Sequence, residues 1–134
     1  MDMSKLNYLA ILVSALSSFL IGGLWYSGAM FGKAWMKENG FGEEDLKQSN
    51  MGKVFGISFL LSLVIALNLA MFLGEKADIT FGIFAGFMAG FGWVAMSFGV
   101  VYLFERRSLK LWLINSGYHV ITFTLMGAIL GVWK

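Results

Sequence analysis

The chain has 134 residues, of which 58% are hydrophobic and only 13% are charged, and its formal net charge is +2. Soluble proteins carry about 25% charged residues, so this chain has too few charges to cover a water-exposed surface, and a soluble domain is excluded. The sequence contains no cysteine, which excludes disulfides, zinc–thiolate sites and iron–sulfur ligation. Its ten Lys and Arg residues are scattered, so no basic face for nucleic acid is expected.

Four long segments contain no Asp, Glu, Lys or Arg, namely residues 6–32, 54–74, 79–104 and 111–133. A helix needs about 20 apolar residues to cross the hydrocarbon core of a bilayer, and each segment meets this length. The sequence therefore predicts an all-α membrane protein without β-sheet, built as one domain over residues 1–134 with four transmembrane helices in an antiparallel bundle. The predicted helices span about 6–26, 54–73, 79–104 and 109–133.

The connections between the predicted helices indicate which helices are neighbours and which way they face. Residues 27–53 form the longest loop, while the turns at 74–78 and 105–108 are short and predict pairing of the second helix with the third and of the third with the fourth. By the positive-inside rule, the side richer in Lys and Arg faces the cytoplasm, which places loop 27–53 there and both termini outside. Seven cations lie on that side (Lys33, Lys37, Lys47, Lys53, Arg106, Arg107 and Lys110) and three on the other (Lys5, Lys76 and Lys134).

Small residues recur every four positions in each predicted helix, which aligns them along one helix face. In lipid, such faces let helix backbones approach closely and pack through dispersion contacts. The predicted helix-packing residues are Ser18 and Gly22 in the first helix, Ser62 and Ala66 in the second, Gly82, Gly86 and Gly90 in the third, and Gly127 in the fourth. Two interpretations of the three-glycine stripe stay open: it packs inside one bundle, or it joins subunits as a glycine zipper.

Polar residues inside the predicted spans form a candidate polar site. Asn115, His119 and Thr122 share one face of the fourth helix, and Asn68 lies opposite the Ser/Ala stripe of the second, which predicts a partner on both sides of that helix. Two interpretations stay open, because intramembrane polar groups either hydrogen-bond neighbouring helices or mark a path for protons or substrates. No Ser–His–acid set and no carboxylate pair can be assembled in one leaflet, and a lone histidine without cysteine or a nearby acid falls short of a metal site. We therefore expect no catalytic residues, no metal, no cofactor and no enzyme.

A second group of candidate residues lies where predicted helices meet the head-group region. Aromatic and basic side chains are typical of this region, and we interpret the group as interfacial anchors. Its members are Trp25, Lys33, Trp35, Glu105, Arg106 and Arg107.

Two blocks of the sequence resemble the signature blocks of the bacterial domain of unknown function 1761 family. The first block reads GLWYS at 23–27 and FGKAW at 31–35, and the second reads LFE at 103–105 and RSLKLWLINSGYH at 107–119, followed by MGAIL at 126–130. The resemblance implies a small polytopic protein of the bacterial cytoplasmic membrane and brings no activity. It also implies a shared site in the cytoplasmic half, where Glu105 would approach Lys33 or Trp35 if the first and third helices are adjacent. The residues that match the blocks are Trp25, Tyr26, Lys33, Trp35, Glu105, Asn115, Tyr118 and His119.

The sequence supports two hypotheses about function. In the first, the protein is non-catalytic and acts by helix packing and assembly in the lipid bilayer, as a homo-oligomer or as an accessory subunit of a membrane complex. In the second, it is a small oligomeric transporter or channel with a polar path near His119 and Asn115.

Overall fold

The computed structural model describes residues 2 to 133, which are helical apart from short connections and contain no strand. Three helical segments follow one another without a break from 79 to 104, and we call them together the third span. The elements are a 3-10 turn (Met3–Lys5), α1 (Tyr8–Trp25), α2 (Gly32–Asn39), α3 (Glu43–Lys47), α4 (Met51–Leu73), α5 (Ile79–Met88), a π-helical segment (Ala89–Ala95), α6 (Met96–Phe104) and α7 (Leu109–Val132). Four helices, α1, α4, the third span and α7, are long and apolar enough to cross a membrane. The predicted all-α fold with four such helices is confirmed.

Side-chain caps decide where the long helices begin. Asn7, Asn50, Asp78 and Ser108 each accept a hydrogen bond from the backbone N–H three residues further on. Such a cap satisfies one of the orphan N–H groups of a helix and contributes about 1 kcal/mol. The Asn50 cap explains why α4 begins at Met51, three residues before the predicted start, and so includes a charged residue in its first turn.

The fourth span, α7, lies at the centre of the bundle and contacts each of the other three. Its closest neighbour is the third span, as the short turn between them predicts, and α1 packs against both α7 and α4. The predicted pairing of the second helix with the third is limited to a small contact between α4 and α5, and α4 packs more extensively on α1. The two helices meet chiefly near the turn that joins them, where the rings of Phe72 and Phe81 stack with centroids 6.4 Å apart. A short turn holds only the adjoining helix ends together, and α4 turns away from the third span to pack on α1.

Small residues fill the half of the bundle that contains the chain termini. An alanine Cβ built at Gly82 or Gly127 would collide with the carbonyl oxygen of the other glycine, and one at Gly86 would collide with that of Phe123. At Gly90 the added atom would lie 3.0 Å from the Cα of Val120. The glycine stripe of the third span therefore packs against α7 inside the chain, which is the first of the two interpretations.

The remaining predicted packing residues bring α1 together with its two neighbours. Ser18 contacts Ser62 of α4 through their hydroxyl oxygens at 3.3 Å, and Ala66 is completely buried. Gly22 faces α7, where a Cβ would come within 3.3 Å of the Tyr118 hydroxyl oxygen. The small side chains thus act at the α1–α4 and α1–α7 contacts, as the sequence predicts for packing faces.

The predicted loop 27–53 contains two short helices, and α2 is folded back against α7. The reversal occurs at Gly32, whose backbone N–H donates to the carbonyl of Ser27 at 2.9 Å. A side chain at this position would collide with the carbonyl oxygens of Tyr26 and Ser27, so the turn requires glycine. The aromatic residues that flank the turn are thereby held against the end of the bundle.

Candidate functional site

The two signature blocks meet at one end of the bundle, where α1 and the third span end and α7 begins. We call this the loop end. Most polar side chains of the spans lie here, whereas the opposite half is packed with small and aliphatic residues.

Two aromatic side chains join α1 and α7 reciprocally. The indole N–H of Trp25 donates to the carbonyl of Ile114 at 2.8 Å, and its ring lies against Gly117, where a Cβ would come within 3.0 Å of the ring. In the other direction, the Tyr118 hydroxyl donates to the carbonyl of Ser18 at 2.8 Å, and its ring lies against Gly22. Each helix therefore supplies a donor for a main-chain carbonyl of its neighbour and a glycine that makes room for the neighbour's ring.

A third contact of the same kind joins α7 to the third span. The indole N–H of Trp112 donates to the carbonyl of Ala95 at 2.8 Å, and a Cβ at Gly99 would come within 3.3 Å of this indole nitrogen. Ala95 is the last residue of the π-helical segment, where the regular hydrogen-bond pattern of the backbone changes. We call these three contacts aromatic bridges. Each combines a hydrogen bond with a close ring–glycine contact.

Exchanging Gly99 for alanine tests the third bridge. The added methyl group would press on the Trp112 indole, which is held in place by its bond to Ala95. We expect Gly99→Ala to destabilise the protein by about 1 kcal/mol, the low end for overpacking. Gly23→Ala is the matched control, because a Cβ at Gly23 meets no atom within 4 Å. Equal unfolding free energies for the two variants in detergent micelles would contradict the bridge.

Asn115 occupies the centre of the loop end and is bonded on both sides. The Tyr26 hydroxyl donates to Asn115 Oδ1 at 2.7 Å, and Asn115 Nδ2 donates to the Tyr102 hydroxyl oxygen at 2.8 Å. Burial raises the pKa of Tyr26, so this hydroxyl stays protonated and acts as a donor. One amide thus connects the end of α1, the middle span α7 and the end of the third span.

His119 lies one turn further along the same face of α7, surrounded by aromatic rings. The ring centroids of Tyr118, Phe98 and Phe123 lie 5.0, 5.3 and 6.3 Å from the imidazole centroid, all in edge-on orientation. Neither imidazole nitrogen makes a hydrogen bond to any residue between 2 and 133. The side chain is only half-buried, so part of it faces outside the chain.

The other two residues of the predicted polar site do not join Asn115 and His119 through side-chain contacts. Thr122 is buried, and its hydroxyl donates to the carbonyl of His119 in its own helix at 3.2 Å. Asn68 is exposed on α4 and donates to the carbonyl of Val64 at 2.8 Å, again in its own helix. Asn68 forms no side-chain hydrogen bond to another helix among the described residues, and a partner on that side of α4 stays a prediction.

The predicted interfacial residues divide into two groups. Trp25 and Trp35 belong to a cluster of rings at the loop end, the aromatic cluster, which also contains Tyr26 and Phe31. Trp25 packs on Phe31 with ring centroids 4.6 Å apart, and Trp35 packs on Tyr26 at 5.8 Å. The charged members lie outside the cluster. Lys33, Glu105, Arg106 and Arg107 are all exposed.

The approach of Glu105 to Lys33 or Trp35, implied by the resemblance, is not found. Glu105 instead forms an ion pair with Arg107 at 3.7 Å, and Arg107 Nη1 donates to Asn39 Oδ1 at 2.7 Å. The physical reason is that α7, rather than the third span, is the main neighbour of α1 and α2. The loop and the 105–108 turn are therefore connected through Asn39 and Arg107.

Sequence reasoning missed Tyr102 and Trp112 as members of the site. Both lie near the ends of predicted spans, where aromatic residues are typical of the membrane interface. A usable signal was the glycine that accompanies each bridging aromatic in a facing helix, such as Gly99 for Trp112. In residues 2 to 133, no group of three His, Cys, Asp or Glu side chains is placed to hold a metal ion.

The family described as "Protein of unknown function (DUF1761)" matches the chain over residues 9–131, which include both signature blocks. No curated protein and no solved structure matches the chain.

Proposed function

We propose a function on the premise that the chain belongs to the DUF1761 family: it is a non-enzymatic membrane protein that acts by assembly through the outer face of α4. A homo-oligomer is the most direct form of such an assembly, and an accessory subunit of a larger membrane complex is the other. The four apolar helices support a location in a membrane, and the excess of cations near loop 27–53 supports an orientation with both termini outside. The bacterial cytoplasmic membrane is what the family resemblance implies. Of the cations used in this argument, Lys134 lies outside the described residues.

The observation that carries the proposal is the exposed position of Asn68. It belongs to a row of outward-facing residues spaced alternately four and three apart, which is the spacing at which one helix packs along another. We call this row the α4 seam, and it consists of Ile57, Leu61, Val64, Asn68 and Met71, all exposed. The seam is apolar except for one amide.

The chemistry of Asn68 favours a second copy of the chain as the partner. Its Nδ2 donates to Val64, while its Oδ1 accepts no hydrogen bond from any described residue. An amide carries both donors and an acceptor, so two copies related by a two-fold axis can satisfy each other. A single asparagine in such a seam also selects register and oligomer number.

The alternative, a small oligomeric transporter or channel near His119 and Asn115, has less support. Asn115 is bonded on both sides by tyrosines, and the half of the bundle beyond it is closed by direct backbone contacts. A polar path would have to run between chains. Cysteines placed at positions 115 and 119 test this alternative. If membrane-impermeant thiol reagents label them, a polar path is favoured; if the cysteines are protected from labelling, a dry core is favoured.

Replacement of Asn68 by leucine tests the assembly. Because intramembrane hydrogen bonds contribute about 0.6 to 1.7 kcal/mol, Asn68→Leu is expected to weaken self-association about 3- to 20-fold. The dissociation constant is measured in liposomes by energy transfer between labelled copies at varied protein density. The matched control is Ser97→Leu, which removes an exposed polar group from the third span and leaves the seam unchanged.

Cysteine cross-linking locates the contact, because the protein has no native cysteine. Leu61→Cys in the seam is expected to form disulfide-linked dimers in native membranes, whereas Phe84→Cys, exposed on the third span, is expected to stay unlinked. A monomeric mass in native membrane extracts would contradict self-association. Equal cross-linking at both positions would show that the contact is not at the seam.

A further inference from the structure

The hydrogen-bond chain at the loop end has a direction, and it ends in an unused donor. Tyr26 donates to Asn115, and Asn115 donates to Tyr102, so the Tyr102 hydroxyl receives a bond. Its own hydrogen is donated to no residue between 2 and 133. A phenol has one donor and also accepts, so Tyr102 can still bond an acceptor supplied from outside the chain.

His119 provides a second unused group beside Tyr102. A neutral imidazole has one N–H donor and one acceptor nitrogen, and neither is bonded to a described residue. Both side chains pack on Phe98: its ring centroid lies 5.6 Å from that of Tyr102 and 5.3 Å from that of His119. The two side chains with free donors therefore share one ring as a neighbour, and both residues are half-buried.

The bundle leaves this region open toward the hydrocarbon. The first seven residues of α4 are all exposed, and its buried residues, Ala66, Leu69, Ala70 and Leu73, all lie in its second half. Of the three segments of the third span, α5, which follows the 74–78 turn, is the one that chiefly contacts α4, so the contact between the two spans decreases toward the loop end. A molecule dissolved in the membrane can enter between them.

We propose that Tyr102 and His119 bind the carbonyl oxygen of a membrane-dissolved amphiphile whose tail lies between α4 and the third span. Two donors on an apolar surface fit a carbonyl, which carries two lone pairs. The group that is bonded is uncharged, because residues 79–104 and 111–133 contain no Asp, Glu, Lys or Arg to balance a charge. Two sources share this chemistry, the ring carbonyl of a quinone and the ester carbonyl of a phospholipid.

The single histidine makes the test specific. Labelling the protein with ¹⁵N-histidine gives NMR signals from His119 alone, and the nitrogen shifts report hydrogen bonding directly. The protein is placed in nanodiscs of a dialkyl-ether phosphatidylcholine, which has no ester carbonyl, and titrated with decylubiquinone. A second sample uses the diester phosphatidylcholine without quinone.

A saturable shift of a His119 nitrogen with decylubiquinone assigns the site to a quinone, and a shift in diester lipid alone assigns it to a lipid ester. The absence of a shift in both samples overturns the proposal. In the wild-type protein, dipolar coupling between ¹⁵N-His119 and a ¹³C-labelled quinone or ester carbonyl must place them within hydrogen-bond reach, and its absence also overturns the proposal.

Tyr102→Phe tests the second donor. Loss of one hydrogen bond of about 1 kcal/mol is expected to weaken the binding of decylubiquinone, or of the diester lipid, about fivefold. Tyr8→Phe is the matched control, because that hydroxyl bonds to the carbonyl of Met3 at the opposite end of α1. Unchanged binding by a folded Tyr102→Phe protein would overturn the role of Tyr102.

Discussion

Gly86→Ala is expected to separate α7 from the third span and to lower the free energy of unfolding by about 3 kcal/mol, the upper end for overpacking. The added Cβ would collide with the carbonyl oxygen of Phe123 and lie 2.9 Å from its carbonyl carbon. Both atoms belong to the backbone of α7, so no side-chain rotation relieves the clash, and the helices must move apart. The measurement is reversible unfolding in mixed micelles, followed by circular dichroism during titration with sodium dodecyl sulfate.

Gly92→Ala is the matched control in the same span. A Cβ at Gly92 meets no atom within 4 Å, and alanine is a better helix former than glycine by up to about 1 kcal/mol. The control is therefore expected to be as stable as the wild type or slightly more stable. If Gly86→Ala unfolds at the same denaturant fraction as Gly92→Ala, the close contact between the two helices does not exist.

Asn115→Leu is expected to lower the free energy of unfolding by about 2 kcal/mol, because the hydroxyls of Tyr26 and Tyr102 lose their partner in an apolar environment. The cost comes largely from the groups left unpaired. The same unfolding assay measures it.

A triple variant isolates this cause. Adding Tyr26→Phe and Tyr102→Phe to Asn115→Leu removes all three polar side-chain groups of this hydrogen-bond network. Replacing all partners of a hydrogen bond by apolar groups is nearly neutral for the free energy of unfolding. We therefore expect the triple variant to recover most of the lost stability. A triple variant that is less stable than Asn115→Leu alone would show that the hydroxyls have other partners.

The four long helices were predictable because the charged residues are grouped between long segments that contain none. In a membrane, a charge-free segment of sufficient length has few alternatives to a helix, since its backbone groups must be hydrogen-bonded internally. Which helices are neighbours was less predictable. The turn that ends at Asp78 constrains only two helix ends, and the packing of α4 on α1 depends on side chains such as Ser18 and Ser62, which lie far apart in the sequence.

The candidate site was partly predictable for a related reason. Asn115 and His119 are conspicuous because polar residues are rare in an apolar span. Their positions do not reveal their partners: the amide bonds tyrosines from two other helices, and the aromatic bridges end on main-chain carbonyls, which every residue carries. The π-helical segment is equally hidden in the sequence, since its backbone pattern accompanies tertiary contacts such as the one from Trp112.

The central position of α7 has a consequence for biosynthesis. The ribosome makes α7 after the other three long helices, yet the third span has its main packing surface on α7. Of the earlier helices, α1 and α4 can pair as soon as both are inserted. The third span, in contrast, stays without its main packing partner until α7 is inserted. The bundle can therefore close only after α7 has been made, and we expect a nascent chain truncated before Leu109 to be left with an unassembled third span.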